Sequence, residues 1–384
     1  MEHARRRQDP EALRAHFLQS SETTPTRRVW RGAGGPWHLQ SEAQDLGSLE
    51  LAGDGLRTLD SFLAESESTA ILVLHRGNVV YERYMRGMRP HDLHVTASMS
   101  KSLVGLLGAV LARERQLDRG RALHHYVPEL AGTAFGDAAV DHLLHMATAV
   151  RYEGRPFNKE SEAQRFFTAV GILPRPHDYN GPRNLMERLS TAHAEHEPGT
   201  IFRYENGNTE ALAEAIRRVT GASLSELLSD VLWSKIGAQE DALFGLDGQR
   251  REIACGRFAA TLRDIARVGE LLRCGGALGA HQVLPEEIVR GIPTIPAGPA
   301  HDVLGPGDRR INSPVMAYHD FWWVPYNDEG AFVARGRSGQ RLYVSPERET
   351  VIAHFGAHVI DPAVPVPQFE HVFRQIAHHL SHGS

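Results

Sequence analysis

β-Forming residues gather near the two ends of this 384-residue chain, and helical periodicity fills the stretch between them. The runs 70–75 and 79–84 flank Arg76-Gly77-Asn78, which predicts a β-hairpin. In the last third, runs at 321–324, 332–335, 341–344 and 350–355 are joined by short turns, which predicts an antiparallel meander. A chain patterned this way must build one sheet from both ends. The expected class is α/β (α+β), an antiparallel sheet flanked by helices with a mainly helical block inserted. Residues 1–50 read as an N-terminal arm, 51–120 with 236–384 as the α/β part, and 121–235 as the inserted helical subdomain.

Helical patterns are expected at 56–63, 103–111, 140–146, 209–219, 224–232, 258–272 and 369–380. The stretch 103–111 is apolar on nearly every face and so should be a buried helix. The polar stretch 151–185 carries Pro156, Pro174, Pro176 and Pro182, and its length suggests a functional loop set.

A net charge of −5 gives no electrostatic case for nucleic acid. Two cysteines, Cys255 and Cys274, cannot build a disulfide framework or a zinc ribbon and read as small buried or half-buried residues. The N-terminus has no apolar core typical of a leader. The longest apolar run, 103–112, is far short of a membrane span of about 20 residues. A soluble cytoplasmic protein without a membrane partner is therefore expected. The histidines form no H-E-x-x-H pattern, so neither metal nor cofactor is expected. The oligomeric state stays open, a homodimer being one option.

Only three of the 42 basic residues are lysines: Lys101, Lys159 and Lys235. Lys101 stands three residues after Ser98, so on a helix the two share a face. Ser98 would lie in the first turn, where free N–H groups favour developing negative charge. Apolar residues follow Lys101 at once, so burial is expected. Burial lowers a lysine pKa by up to roughly 3–5, which would make Lys101 a usable base at neutral pH. Arginine could not serve. Tyr204 and Asn206 follow a Pro-Gly turn and can enter the same cleft, although a packed tyrosine and a capping asparagine would look alike. Arg337-Ser338-Gly339, with Gly336 before it, reads as a strand that lets a ligand approach the backbone. Of Trp322 and Trp323, one should pack in the core and the other could wall the cleft.

Taken in order, Ser98 to Lys101, Tyr204 to Asn206 and Arg337-Ser338-Gly339 resemble the S-x-x-K, Y-x-N and K-[ST]-G motifs of the serine β-lactamase and penicillin-binding-protein superfamily. The nearest resemblance is to its class C-like esterase and 6-aminohexanoate-dimer hydrolase branch, over roughly residues 56 to 376. It implies a serine hydrolase that cleaves an ester or amide of a small molecule through an acyl-enzyme. Ser98 would be the nucleophile, and Lys101 and Tyr204 would share its proton. Asn206 would orient Lys101 or the substrate. The oxyanion hole would use the backbone N–H groups of Ser98 and Gln340. Arg337 stands where many penicillin-processing relatives carry lysine, which weakens a β-lactamase or D-alanyl carboxypeptidase reading. A non-turnover acyl-binding sensor is a further alternative, because such folds host unrelated functions.

Overall fold

The computed structural model describes residues 9–53, 57–152, 162–295, 316–326, 329–360 and 366–382. Its main elements, in chain order, begin with α1 (Pro10–Leu18), β1 (Thr26–Val29), α2 (Leu59–Glu65), β2 (Ser68–His75), β3 (Asn78–Tyr84), β4 (His94–Val95) and α3 (Ser100–Arg113). Next come α4 (Val140–Leu144), α5 (Glu162–Ala169), α6 (Asn206–Thr220), β5 (Ala242–Gly245), β6 (Phe258–Ala260) and α7 (Leu262–Arg273). The last are β7 (Met316–His319), β8 (Trp322–Pro325), β9 (Phe332–Arg335), β10 (Arg341–Ser345), β11 (Thr350–Gly356) and α8 (Phe369–His382).

The main sheet has seven antiparallel strands in the order β7-β8-β9-β10-β11-β2-β3. The two ends of the chain meet where β11 pairs with β2, Thr350 opposite His75 and Phe355 opposite Ala70. Every residue of these two strands is buried, because helices cover both faces of the sheet. That is why their sequences read as continuous apolar runs rather than alternating ones. The hairpin closes through Arg76 (φ 52°) and Gly77 (φ 83°), both left-handed, as a two-residue turn between twisted strands requires.

α7 packs on one face of the sheet so closely that a Cβ on Gly269 would lie 2.4 Å from Val351. α3 lies against β8 and β9. On the opposite face, Phe369 and Phe373 of α8 pack against His354 and Tyr343. A smaller four-stranded sheet, β1-β5-β6-β4, sits beside the turn that carries Ser98.

Several expectations are corrected in detail. The arm, for which no element was expected, holds α1, and β1, which pairs with β5 from Thr26 opposite Gly245 to Val29 opposite Ala242. The edge strand β7 was not expected, since Met-Ala-Tyr-His carries no alternation. Residues 337–339 form a short 3₁₀ turn between β9 and β10 rather than a strand. Cys255 is buried as expected, but Cys274 is exposed. Pro156 and Lys159 fall outside the described residues.

Candidate active site

The chain enters the site through a strained turn. Thr96 N–H donates to Phe258 O (2.8 Å), and Ala97 then adopts a left-handed φ of 49°, unusual for a residue with a Cβ. A 3₁₀ turn, Ala97–Met99, carries Ser98 and leads directly into α3. Gly336 packs against this turn: a Cβ there would lie 2.3 Å from Thr96 O and 3.2 Å from the Ala97 Cβ. Glycine is therefore required where β9 ends beside Ser98.

Lys101 is 1 % exposed. Its Nζ donates to Ser98 Oγ (3.1 Å), Asn206 Oδ1 (2.9 Å) and Cys255 O (2.6 Å). These three acceptors match the three N–H bonds of an ammonium. The sequence expectation that burial leaves Lys101 with a lowered pKa is corrected here. Burial does disfavour the ammonium, but Tyr204, Cys255 and Glu210 outweigh it, and the pKa is raised above the ordinary lysine value. Lys101 thus rests as a cation that donates to Ser98. It can accept the serine proton only after losing one of its own.

The sequence reading missed Glu210. It lies one turn after Asn206 on α6 and is fully buried. Its carboxylate accepts from Cys255 N–H (2.8 Å) and Ala254 N–H (3.3 Å), which fixes the carbonyl that Lys101 uses. Burial pushes its pKa up. The one available sequence signal was an acid at helical spacing from Asn206, and an acid on a helix is ordinarily solvated.

Tyr204 sits in an aromatic column. Lys101 Nζ is 5.1 Å from its ring centroid, Trp323 stacks on it at 5.7 Å, and the Arg335 guanidinium lies 4.9 Å over Trp323. Tyr318 meets Tyr204 edge-on. Trp322 instead packs edge-to-face on Phe332 within the core.

The third motif divides. Arg337 lines the same cavity as Ser98, Tyr204 and Asn206. Ser338 (φ 64°), Gly339 and Gln340 turn into the protein body. The Gln340 side chain donates to Arg337 O (2.8 Å) and Gly356 O (2.9 Å) and accepts from Gly356 N–H (2.9 Å). Its carboxamide therefore braces the turn from below. Gly339 O accepts from His354 Nδ1 (2.6 Å), which fixes the tautomer so that Nε2 accepts from Ser68 Oγ (2.7 Å). Burial holds His354 at a pKa of about 4, so it stays neutral in this role. Arg341 donates to Gly336 O and Gln340 O, and Glu370 of α8 bridges Arg341 (2.7 Å) and Arg335 (2.9 Å).

Among the described residues, one grouping has ligand-like spacing for a metal: His145, His319 and Asp320. Arg119 already supplies positive charge there, bridging Asp320 and Asp141 at 2.6 Å each. This network ties α4 to the β7–β8 turn, away from Ser98.

A cavity of about 930 Å³ opens above Ser98. Its walls come from Val95, Ala97, Phe167, Ile172, Leu173, Gly256 and the arm.

A serine on a strained turn, a buried lysine behind it and a flanking seven-stranded sheet define a protein class, and comparison with known proteins agrees. The family model described as Beta-lactamase matches residues 57–356, and the chain belongs to that family. It is a serine hydrolase of the β-lactamase fold. A 6-aminohexanoate-dimer hydrolase of Paenarthrobacter ureafaciens is 30 % identical over 336 residues, covering 88 % of this chain and 83 % of the relative. A Bacillus anthracis structure assigned provisionally as a 6-aminohexanoate-dimer hydrolase superposes with TM-score 0.89 at 32 % identity, covering 97 % of this chain and 95 % of that one. A family VIII carboxylesterase shares the fold alone, with TM-score 0.58 and 18 % identity over 84 % of this chain and 96 % of that one. No helix among the described residues is long and apolar enough to cross a membrane.

Proposed function

We propose that the chain hydrolyses an ester or amide of a small molecule through an acyl-enzyme on Ser98. The observation that carries this is Lys101, buried and bonded at once to Ser98, Asn206 and Cys255 O. Ser98 Oγ attacks the substrate carbonyl, and its proton passes into the Lys101–Tyr204 pair. The pair then protonates the leaving alcohol or amine. A water molecule, deprotonated by the same pair, releases the acyl group.

The Ser98 N–H would stabilise the oxyanion. The second donor we assign is Arg337 N–H rather than Gln340 N–H. Gly336 places Arg337 against the nucleophile turn, and Arg337 lines the cavity. Asn206 holds Lys101 in place. The relatives named as 6-aminohexanoate-dimer hydrolases support linear amides as substrates.

The test is turnover of p-nitrophenyl esters, linear 6-aminohexanoate dimer and a chromogenic cephalosporin by wild type and Ser98→Ala. We expect ester or linear-amide turnover that falls by at least about 10³-fold in the variant. Cephalosporin turnover alone, or activity that survives in Ser98→Ala, would contradict the proposal.

A further inference from the structure

The arm that carried no motif closes the catalytic cavity. Asp9, Ala12, Leu13, His16, Phe17 and Gln19 all line it, together with Ser98. The arm is built in. Leu13 and Phe17 are buried against Val95, Ala259 and Ala357, and Phe17 stacks on His94, which stacks on Phe355. Arg14 pairs with Glu67 at 3.1 Å. Across the cavity stand Phe167, Ile172 and Leu173, which keep part of their apolar surface open. Two apolar walls thus face each other above the nucleophile.

Asp9 and Glu205 also line the cavity, and each caps a helix, Asp9 accepting from Glu11 N–H (3.0 Å) and Glu205 from Gly207 N–H (3.3 Å). Behind the arm lies Arg257, 4 % exposed, donating to Thr24 Oγ1 (2.7 Å) and to His16 Nε2 (3.4 Å). The two apolar walls, not these charges, are what the slot offers a substrate.

We infer that the slot between α1 and the 167–173 wall binds an aliphatic chain of the substrate, and that the arm sets how long that chain can be. The inference rests on Ser98 being the nucleophile of this cavity. Each methylene buried there contributes up to about fourfold in affinity.

Ala12→Trp tests it, because Ala12 lines the slot and is only partly buried, so added bulk projects into the cavity and leaves the packed residues alone. Ethyl and decyl fluorophosphonates are reacted with both proteins: Ser98 Oγ bonds to phosphorus, fluoride leaves, and the serine proton enters the Lys101–Tyr204 pair. Intact mass gives the rates. We expect wild type to favour the decyl probe at least tenfold, and Ala12→Trp to lose that preference.

A second arm does not depend on catalysis. Octanamide is titrated into Ser98→Ala with and without Ala12→Trp, and its binding should be lost only in the double variant. A decyl-to-ethyl ratio and octanamide binding that are both indifferent to Ala12→Trp would overturn the slot. If neither probe labels Ser98 while octanamide binding still depends on Ala12, the slot stands and the nucleophile assignment fails.

Discussion

At the scale of single residues, the site turns on how Lys101 is charged. Three acceptors surround its Nζ, and Tyr204, Cys255 and Glu210 favour the cation more strongly than burial opposes it. In the proposed mechanism the base is the Lys101–Tyr204 pair, which must give up one proton before Ser98 is activated. Glu210 raises the pH at which this happens, because a nearby anion favours the protonated lysine. Glu210→Gln keeps an acceptor for Cys255 N–H and removes the charge, so proton loss becomes easier. The acid limb of kcat/KM should then move to lower pH. An unmoved limb would show that Glu210 is only structural. The S-x-x-K spacing of Ser98 and Lys101 could be read from sequence, because spacing on one helix is local. The charge of Lys101 could not, because it depends on Glu210 and Cys255, which reach it only through the fold.

Among elements, the turn from Gly336 to Gln340 shows how the scaffold holds the site. Glu370 of the closing helix lies between Arg335 and Arg341, and Arg341 in turn holds two carbonyls of the turn. Burial opposes charge on Glu370, but the two arginines overcome it and lower its carboxyl to about 2 from 4.5. A carboxyl lowered on folding contributes stability above its unfolded pKa, and this is lost as pH falls through the folded value. Glu370→Gln should cost about 3–5 kcal/mol at neutral pH, since two buried arginines lose their counter-ion. Thermal melts between pH 5 and pH 2.5 should fall less steeply for the variant than for wild type. Parallel slopes would contradict this. Strand Phe332–Arg335 was legible because its residues are apolar and β-forming. The turn was misread as strand because glycines at 336 and 339 suit either conformation. The deciding facts, Gly336 pressed on Thr96 and Ser338 at φ 64°, are tertiary.

For the whole molecule, the two-ended sheet was legible and the role of the first 50 residues was not. Strands β2 and β11 are buried on both faces, so both ends of the chain carry unbroken apolar runs. The arm lacks that signature because α1 buries only Leu13 and Phe17 and spends its other face on the cavity. Two ends of the chain, a helical insertion and the arm thus converge on one serine. If this serine carries the acyl group, it can be caught there. Protein is mixed with excess p-nitrophenyl hexanoate, quenched in acid within milliseconds, and its intact mass and digest are read. A transient hexanoyl adduct is expected, confined to the peptide containing Ser98 and absent in Ser98→Ala and in Lys101→Arg. Turnover without an adduct, or an adduct that persists in Ser98→Ala, would contradict it.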